Sequence, residues 1–408
     1  MASHGSEPHA SDENPLDADF GIQPMFVNMG PSHPATHGTM RLRAWLHGEN
    51  IHASDVEIGF LHRGFQKSCE NATWAQCLPY TDRLNYVSSM MNNFGFLSAV
   101  EKLAGIEIPE RAQYIRVIGA ELHRIHDHLT ATTATAMEMG GFTVFFYAVE
   151  ARELLMERIT ELTGARLTTT YGRIGGLNRD IPEGWKEKVL RSLDHVRLVA
   201  NEIDGMLTRN RIFMDRMVGT GYLSPEDSLD FGFTGPCLRA AGIHMDIRKL
   251  RPYWAYPELD FDIPIFHGCD NFDRYRIRME EMFQSDRIIR QAFEKLPDGP
   301  ILIDDWRFAL PPQEAVLNSI EGTMAHFKLI MEGAQVPAGE VYHSTESSNG
   351  ELGWYLRSDG SGRPYKVHIR APGFHLLSAL SKMIQGKLLS DFIPTFDTIN
   401  MIGGEVEQ

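Results

Sequence analysis

The stretch PERAQYIRVIGAELHRIHDHL, from Pro109 to Leu129, decides the fold class. Ile115, Ile118, Leu122, Ile125 and Leu129 recur in steps of three and four, which lines them along one face of a helix, with Pro109 in a first-turn position. The same spacing extends outward from this stretch. Upstream, Val87, Met90, Met91, Phe94 and Leu97 fit one helical face. Downstream, a third helix covers Val144 to Leu162 and stops at Gly164, a residue suited to a left-handed C-cap. Helical spacing also covers 182–208, 273–293 and 312–332, and these segments are expected to complete a bundle core.

The period changes to two at both ends of the chain. Met40, Leu42, Ala44 and Leu46 alternate with Arg41, Arg43, Trp45 and His47, Gly48-Glu49-Asn50 supplies a turn, and Val56, Ile58 and Phe60 resume the alternation. Short strands are expected over 341–345, 352–357 and 365–370, followed by a helix over 373–384. The fold class is therefore α+β, a central helical bundle flanked by an N-terminal β-hairpin and C-terminal β elements. The expected divisions are an acidic, flexible tail (1–24), an N-terminal α/β region (25–72), the bundle (73–336) and a C-terminal β-rich region (337–408).

Composition excludes several classes of function. With 54 acidic and 39 basic side chains the formal charge is −15, the wrong sign for a phosphate-binding face or direct adhesion to anionic lipid, so no nucleic-acid partner is expected. No run approaches the roughly 18 apolar residues of a membrane span, and Met1 to Phe20 lacks the apolar core of a signal peptide. A cytosolic address with attachment to any membrane through partners is the expectation. Cys69, Cys77, Cys237 and Cys269 form no C-x-x-C pair, and neither a phosphate loop nor a dinucleotide fingerprint occurs. The chain is thus expected to bind no metal, flavin or other redox centre of its own.

Four short segments could carry chemistry. In Gly30-Pro31-Ser32-His33-Pro34-Ala35-Thr36-His37-Gly38, Pro34 and Gly38 favour a tight loop over a helix, and spacing alone favours a solvated loop with two incidental histidines. Tyr80 to Tyr86 stands at the mouth of the first bundle helix and reads equally as a capped helix start, with Asp82 near a positive helix terminus. Arg63, after the hairpin, reads alone as a surface arginine. His123 and Asp127 share a helix face beside His126 and His128, so a metal site can be imagined; solvated side-chain pairs are the simpler reading.

Taken in order, these segments resemble the large peripheral-arm subunit of respiratory complex I, the D-type or 49-kDa family of NADH–quinone oxidoreductases. The resemblance runs from about Val27 to the C-terminus. It is carried by 30–38, His62-Arg63-Gly64, Asp82-Arg83-Leu84, Val100-Glu101-Lys102-Leu103 and Thr163-Gly164-Ala165-Arg166. It continues through Gly322 to Gly333 with His326-Phe327-Lys328, then Ser358-Asp359-Gly360, Ala371-Pro372-Gly373-Phe374 and Gly404-Glu405-Val406. The family is similar in fold to the large subunits of nickel–iron hydrogenases, whose two metal-holding C-x-x-C pairs are missing from this sequence.

The resemblance implies a quinone pocket shared with a small iron–sulfur subunit whose terminal 4Fe–4S cluster donates electrons. It implies that His37 and Tyr86 hold the quinone headgroup, with His33 and Ile402 beside it, and that Arg63 and Arg83 lie near the cluster. Imidazole and phenol suit that task, since reduction needs donors to two carbonyls that then release protons. Where the family pairs the loop histidine with an aspartate, this chain has Glu138; where it has a histidine after Gly-Ala-Arg, this chain has Thr168. The implied whole is a proton-pumping NADH–quinone oxidoreductase, peripheral on the cytoplasmic side of the cell inner membrane, with FMN and all clusters in partner subunits and other peripheral-arm and membrane-arm subunits around it. A ferredoxin- or deazaflavin-dependent sister complex and a non-catalytic scaffold are the alternatives; the presence of both His37 and Tyr86 speaks against the scaffold.

Overall fold

A computed structural model describes residues 24–36 and 40–408; all but the last residue of the expected acidic tail (1–24) lie outside them. The alternating segment forms strands β2 (Arg41–His47) and β3 (Asn50–Glu57), and Met40, Leu42, Ala44 and Leu46 are buried as the period of two requires. A strand that the sequence pattern did not single out, β1 (Met25–Met29), pairs antiparallel with β2, making three strands of the expected hairpin. The loop carrying His33 thus joins β1 to β2. Its two ends are close: a Cβ on Gly30, at φ +91°, would lie 2.0 Å from the Met40 carbonyl oxygen. Only glycine fits there.

Five long helices form the bundle: α1 (Ser89–Ala104), α2 (Glu110–Glu138), α3 (Phe142–Thr163), α4 (Trp185–Leu207) and α5 (Asn271–Lys295). Helix α2 packs on α3 and α5, and α3 packs on α4. Gly164 ends α3 in the left-handed conformation, as its position predicts. The C-terminal strands β4 (Gly339–Ser347), β5 (Gly350–Ser358) and β6 (Lys366–Arg370) form a second antiparallel sheet, and β4 and β5 lie against α1. The architecture is α+β.

Helix α1 is not amphipathic, contrary to the one-faced pattern expected of it. Every residue from Ser89 to Glu101 is buried. The reason is its central place: Gly95 touches Thr345 and Trp354 of the second sheet, and Met90 and Phe94 close on Gly119 of α2. Its polar side chains are therefore buried too, and they are hydrogen-bonded, as burial demands. Asn93 Nδ2 donates to Thr81 Oγ1 at 2.6 Å and to Asp82 Oδ1 at 2.5 Å; Asn92 Nδ2 donates to the Asn85 carbonyl at 2.9 Å.

The expected helix over 312–332 is two helices, Gln313–Asn318 and Ile320–Met331, broken at Ser319, whose hydroxyl caps the Gly322 amide at 3.0 Å. Only Gly322 is buried in the second of them, so this segment lies outside the bundle core. The expected helix over 373–384 is likewise divided, into Pro372–Ser378 and Leu380–Ile384. Among the described residues no helix is long and apolar enough to cross a membrane.

Candidate functional site

Four of the side chains that the sequence analysis singled out, Arg63, Arg83, Tyr86 and Ile402, meet at a cleft between the entry to α1 and the C-terminus. Asn85 caps a single 3-10 turn, Tyr86–Ser88, by accepting the Val87 amide on Oδ1 at 3.1 Å. That turn projects Tyr86 outward, 44% exposed, although its neighbours Asn85 and Val87 are buried. Opposite it runs the chain from Asn400 to Gly404. Leu61, Arg63, Arg83, Tyr86, Met401, Ile402, Gly403 and Gly404 line a cleft of about 180 Å3.

The C-terminal segment clamps this arrangement. The Glu407 carboxylate accepts the Leu61 amide, and the Glu407 carbonyl meets His62 Nδ1 at 2.9 Å. Arg63 Nη2 donates to the Arg83 carbonyl at 3.1 Å, so two exposed guanidiniums stand on one face of the cleft. Gly404 fits only because it lacks a side chain: a Cβ would come within 2.3 Å of the Arg83 carbonyl oxygen. Two buried carboxyls flank the cleft. Burial pushes Asp82 up to about 7 against the opposing effect of the Asn93 amide and the Arg83 charge. Burial likewise pushes Glu405 up to about 7, although the Gly373 amide donates to it at 2.9 Å.

Asp82 is thus not the dipole-favoured helix start that the sequence suggested. It follows the short turn Leu78–Thr81 as its C-cap, with its carboxyl turned inward on Asn93. The histidine-rich face of α2 also departs from both expectations for it. His123, His126, Asp127 and His128 are all buried, so none belongs to a solvated pair. His126 meets the Val87 carbonyl through Nδ1 at 3.0 Å and receives the Arg152 Nε–H on Nε2 at 2.8 Å. Because a carbonyl only accepts, the proton sits on Nδ1; burial and then the Arg152 charge hold His126 neutral, well below the usual imidazole range. His128 pairs with Glu281 at 2.8 Å. Among the described residues, no group of three or more His, Cys, Asp or Glu side chains could hold a metal ion.

The remaining candidates occupy separate places. His37 lies outside the described residues. His33 is half-buried, and its Nδ1 accepts the Ala35 amide at 3.2 Å in the loop between β1 and β2. Glu138 is the last residue of α2 and is half-buried, outside the lining of the cleft. Thr168 sits in a bend, not in a strand, and the preceding Leu167 carbonyl accepts the Ser89 hydroxyl at 2.6 Å, two residues after Val87. Sequence reasoning missed Asn85 and Asn400 as supports for the cleft. An Asn directly before an exposed aromatic, and another before Met-Ile-Gly-Gly, were the available signals.

Comparison with known proteins places the chain among polypeptides of one kind. The family described as the 49-kDa subunit of the respiratory-chain NADH dehydrogenase matches residues 138–408. The D-type subunit of the NADH-quinone oxidoreductase of Myxococcus xanthus (strain DK1622) is 66% identical over 396 residues, covering 97% of this chain and 95% of that protein. A D-type subunit from Anaeromyxobacter sp. (strain K) is 62% identical, over 97% of this chain and 92% of its own length. Another, from Sorangium cellulosum (strain So ce56), is 50% identical, over 98% of this chain and 100% of its own.

Proposed function

Since the chain belongs to the 49-kDa subunit family of respiratory-chain NADH dehydrogenases, and so is a subunit of an oxidoreductase complex, we propose that its cleft between Tyr86 and Ile402 is one side of a quinone-reduction site. The observation that carries this reading is the meeting of Tyr86, Ile402, Arg63 and Arg83 in one cleft, from three separate parts of the chain. Tyr86 offers a phenol to one quinone carbonyl, and Ile402 gives an apolar wall to the ring. His37, with Glu138 as its orienting carboxylate, serves the other carbonyl, and His33 neighbours it in the same loop. Fixed positive charge at Arg63 and Arg83 favours the reduced form of a nearby 4Fe–4S cluster held by a small partner subunit. Quinone takes up two electrons from that cluster and two protons to become quinol. FMN and the other clusters belong to further subunits, and the assembly sits on the cytoplasmic side of the inner membrane.

Ile402→Trp tests the reading. A ring filling a cleft of this size should lower quinone reduction by the assembled complex at least tenfold, while NADH oxidation by an artificial acceptor that draws electrons upstream stays unchanged. Unchanged quinone reduction would remove the cleft from the reaction.

Thr168 gives a second expectation. Reduction of a neighbouring cluster adds negative charge and would raise the pKa of a histidine in this place, so a proton would be taken up and the potential would fall as pH rises. Threonine does not titrate. The terminal cluster is therefore expected to have a potential nearly independent of pH near neutrality, lower than that of histidine-bearing relatives and suited to a low-potential quinone such as a menaquinone. Thr168→His should raise the potential and introduce a slope, read by redox titration at several pH values. A wild-type slope that the histidine fails to steepen contradicts the assignment.

A further inference from the structure

Asp127 is 1% exposed and lies behind the cleft, on the face of α2 that meets both of its walls. Its Oδ2 accepts Asn85 Nδ2 at 2.6 Å and also the Ser348 hydroxyl; its Oδ1 accepts Asn400 Nδ2 at 3.0 Å. Each donor belongs to a different part of the chain. Asn85 caps the turn that carries Tyr86. Asn400 precedes Met401 and Ile402 and stands in the left-handed region at φ 52°, where its side chain and carbonyl are both tied to Asn349, at 2.8 and 3.0 Å. We propose that Asp127 is a positioning residue that sets the separation of the Tyr86 and Ile402 walls by holding Asn85 and Asn400 on one carboxylate.

The chemistry of the donors requires a carboxylate here. Asn85 Nδ2 directs its hydrogens to Asp127 and to Ser348 Oγ, the latter at 3.1 Å, and Asn400 Nδ2 directs its own to Asp127 and Asn349. Three donors converge on a group that only accepts, and bonds to an ionised acceptor are shorter and stronger than neutral ones. An amide in its place would turn an N–H toward one of those donors and leave a buried polar group unsatisfied. The Arg152 guanidinium feels both the Asp127 carboxylate and Tyr86, so positive charge compensates the buried carboxylate on the Tyr86 side.

The inference rests on the cleft being the quinone site, and the experiment separates the two. In the assembled complex, Asp127→Asn should raise KM for a decyl-chain benzoquinone about tenfold, since displacements near 1 Å at a reacting centre carry effects of this order or greater. Electron transfer to the upstream artificial acceptor should not change. The exchange Asp127→Asn/Asn400→Asp restores a donor–acceptor pair between the two positions and should return KM to within a few-fold of wild type. Should Asp127→Asn prevent assembly, Asn400→Gly releases only the Ile402 wall, and glycine tolerates the left-handed backbone. It should raise KM in the same way. An unchanged KM in the variants that assemble overturns the proposal when Ile402→Trp still blocks quinone reduction; if Ile402→Trp also has no effect, the reading of the cleft itself has failed.

Discussion

Tyr86→Phe is expected to slow quinone reduction by roughly a hundredfold or more and to leave electron entry from NADH untouched, because removing one oriented donor from a site of developing charge costs about 3–4 kcal/mol in the transition state. The ring stays, so packing against the turn is retained. The hydroxyl is at an exposed position, where substitutions rarely change stability by more than about 0.5 kcal/mol. The backbone of the turn is held independently, by the Asn85 cap on Val87 and by His126 on the Val87 carbonyl. His37→Ala should act in the same direction. Glu138→Gln should impair quinone reduction more than Glu138→Asp, since the proposed task is to stabilise a protonated imidazole and only the aspartate keeps the charge. The measurement is NADH oxidation with quinone set against oxidation with an upstream artificial acceptor. Equal losses in both would assign these residues to assembly instead.

The elements of this chain were more legible than its interior. Apolar spacing located β2 because its two faces differ in burial and the pattern records that asymmetry. It located α2 through the helical step of its apolar residues, although every residue from Tyr114 to Leu129 is buried. It misread α1, since a helix packed on a sheet and on another helix has no exposed face to mark. It was silent over most of 209–270, where short helices such as Pro225–Asp230 and Gly235–Arg239 hold too few turns for a period to emerge. The site followed the same rule. Tyr86, Arg63 and Arg83 came from a resemblance in motif, and the cleft that unites them with Ile402 exists only in the folded chain. Asp127 was visible only as one of several polar residues on a helix. Its partners Asn85 and Asn400 are 42 and 273 positions away, and no local pattern encodes such a contact.

Arg239→Leu is expected to destabilise the subunit by roughly 3–5 kcal/mol at neutral pH, the range for breaking a buried ion pair from one side. Arg239 is fully buried, with Glu281 Oε1 at 2.5 Å, Glu346 Oε1 at 2.8 Å and the Met245 carbonyl at 2.8 Å. It belongs to a cluster in which Arg124, Arg239 and Arg248 face Glu121, Asp246, Glu281 and Glu346. Losing one guanidinium from three leaves carboxylates that water cannot reach. The pH dependence identifies the mechanism. Burial pushes Glu281 upward, but Arg239 and then His128 hold it well below the usual carboxylate range. A depressed carboxylate stabilises the fold above its unfolded pKa, and that contribution is lost as pH falls through the lower folded value. Without Arg239 the balance at Glu281 turns toward burial and its pKa rises. Glu346, already raised by burial and by Asp246, moves further in the same direction. Both can then bind protons on mild acidification. The deficit of the variant should accordingly be largest near pH 7.5 and shrink toward pH 5, measured as the difference in unfolding free energy between wild-type and variant chains. Adding Glu281→Gln should recover part of the loss at pH 7.5 by removing the orphaned charge. A deficit under about 1 kcal/mol, or one that does not vary with pH, would mean that packing around Arg239, and not its charge, holds this part of the bundle together.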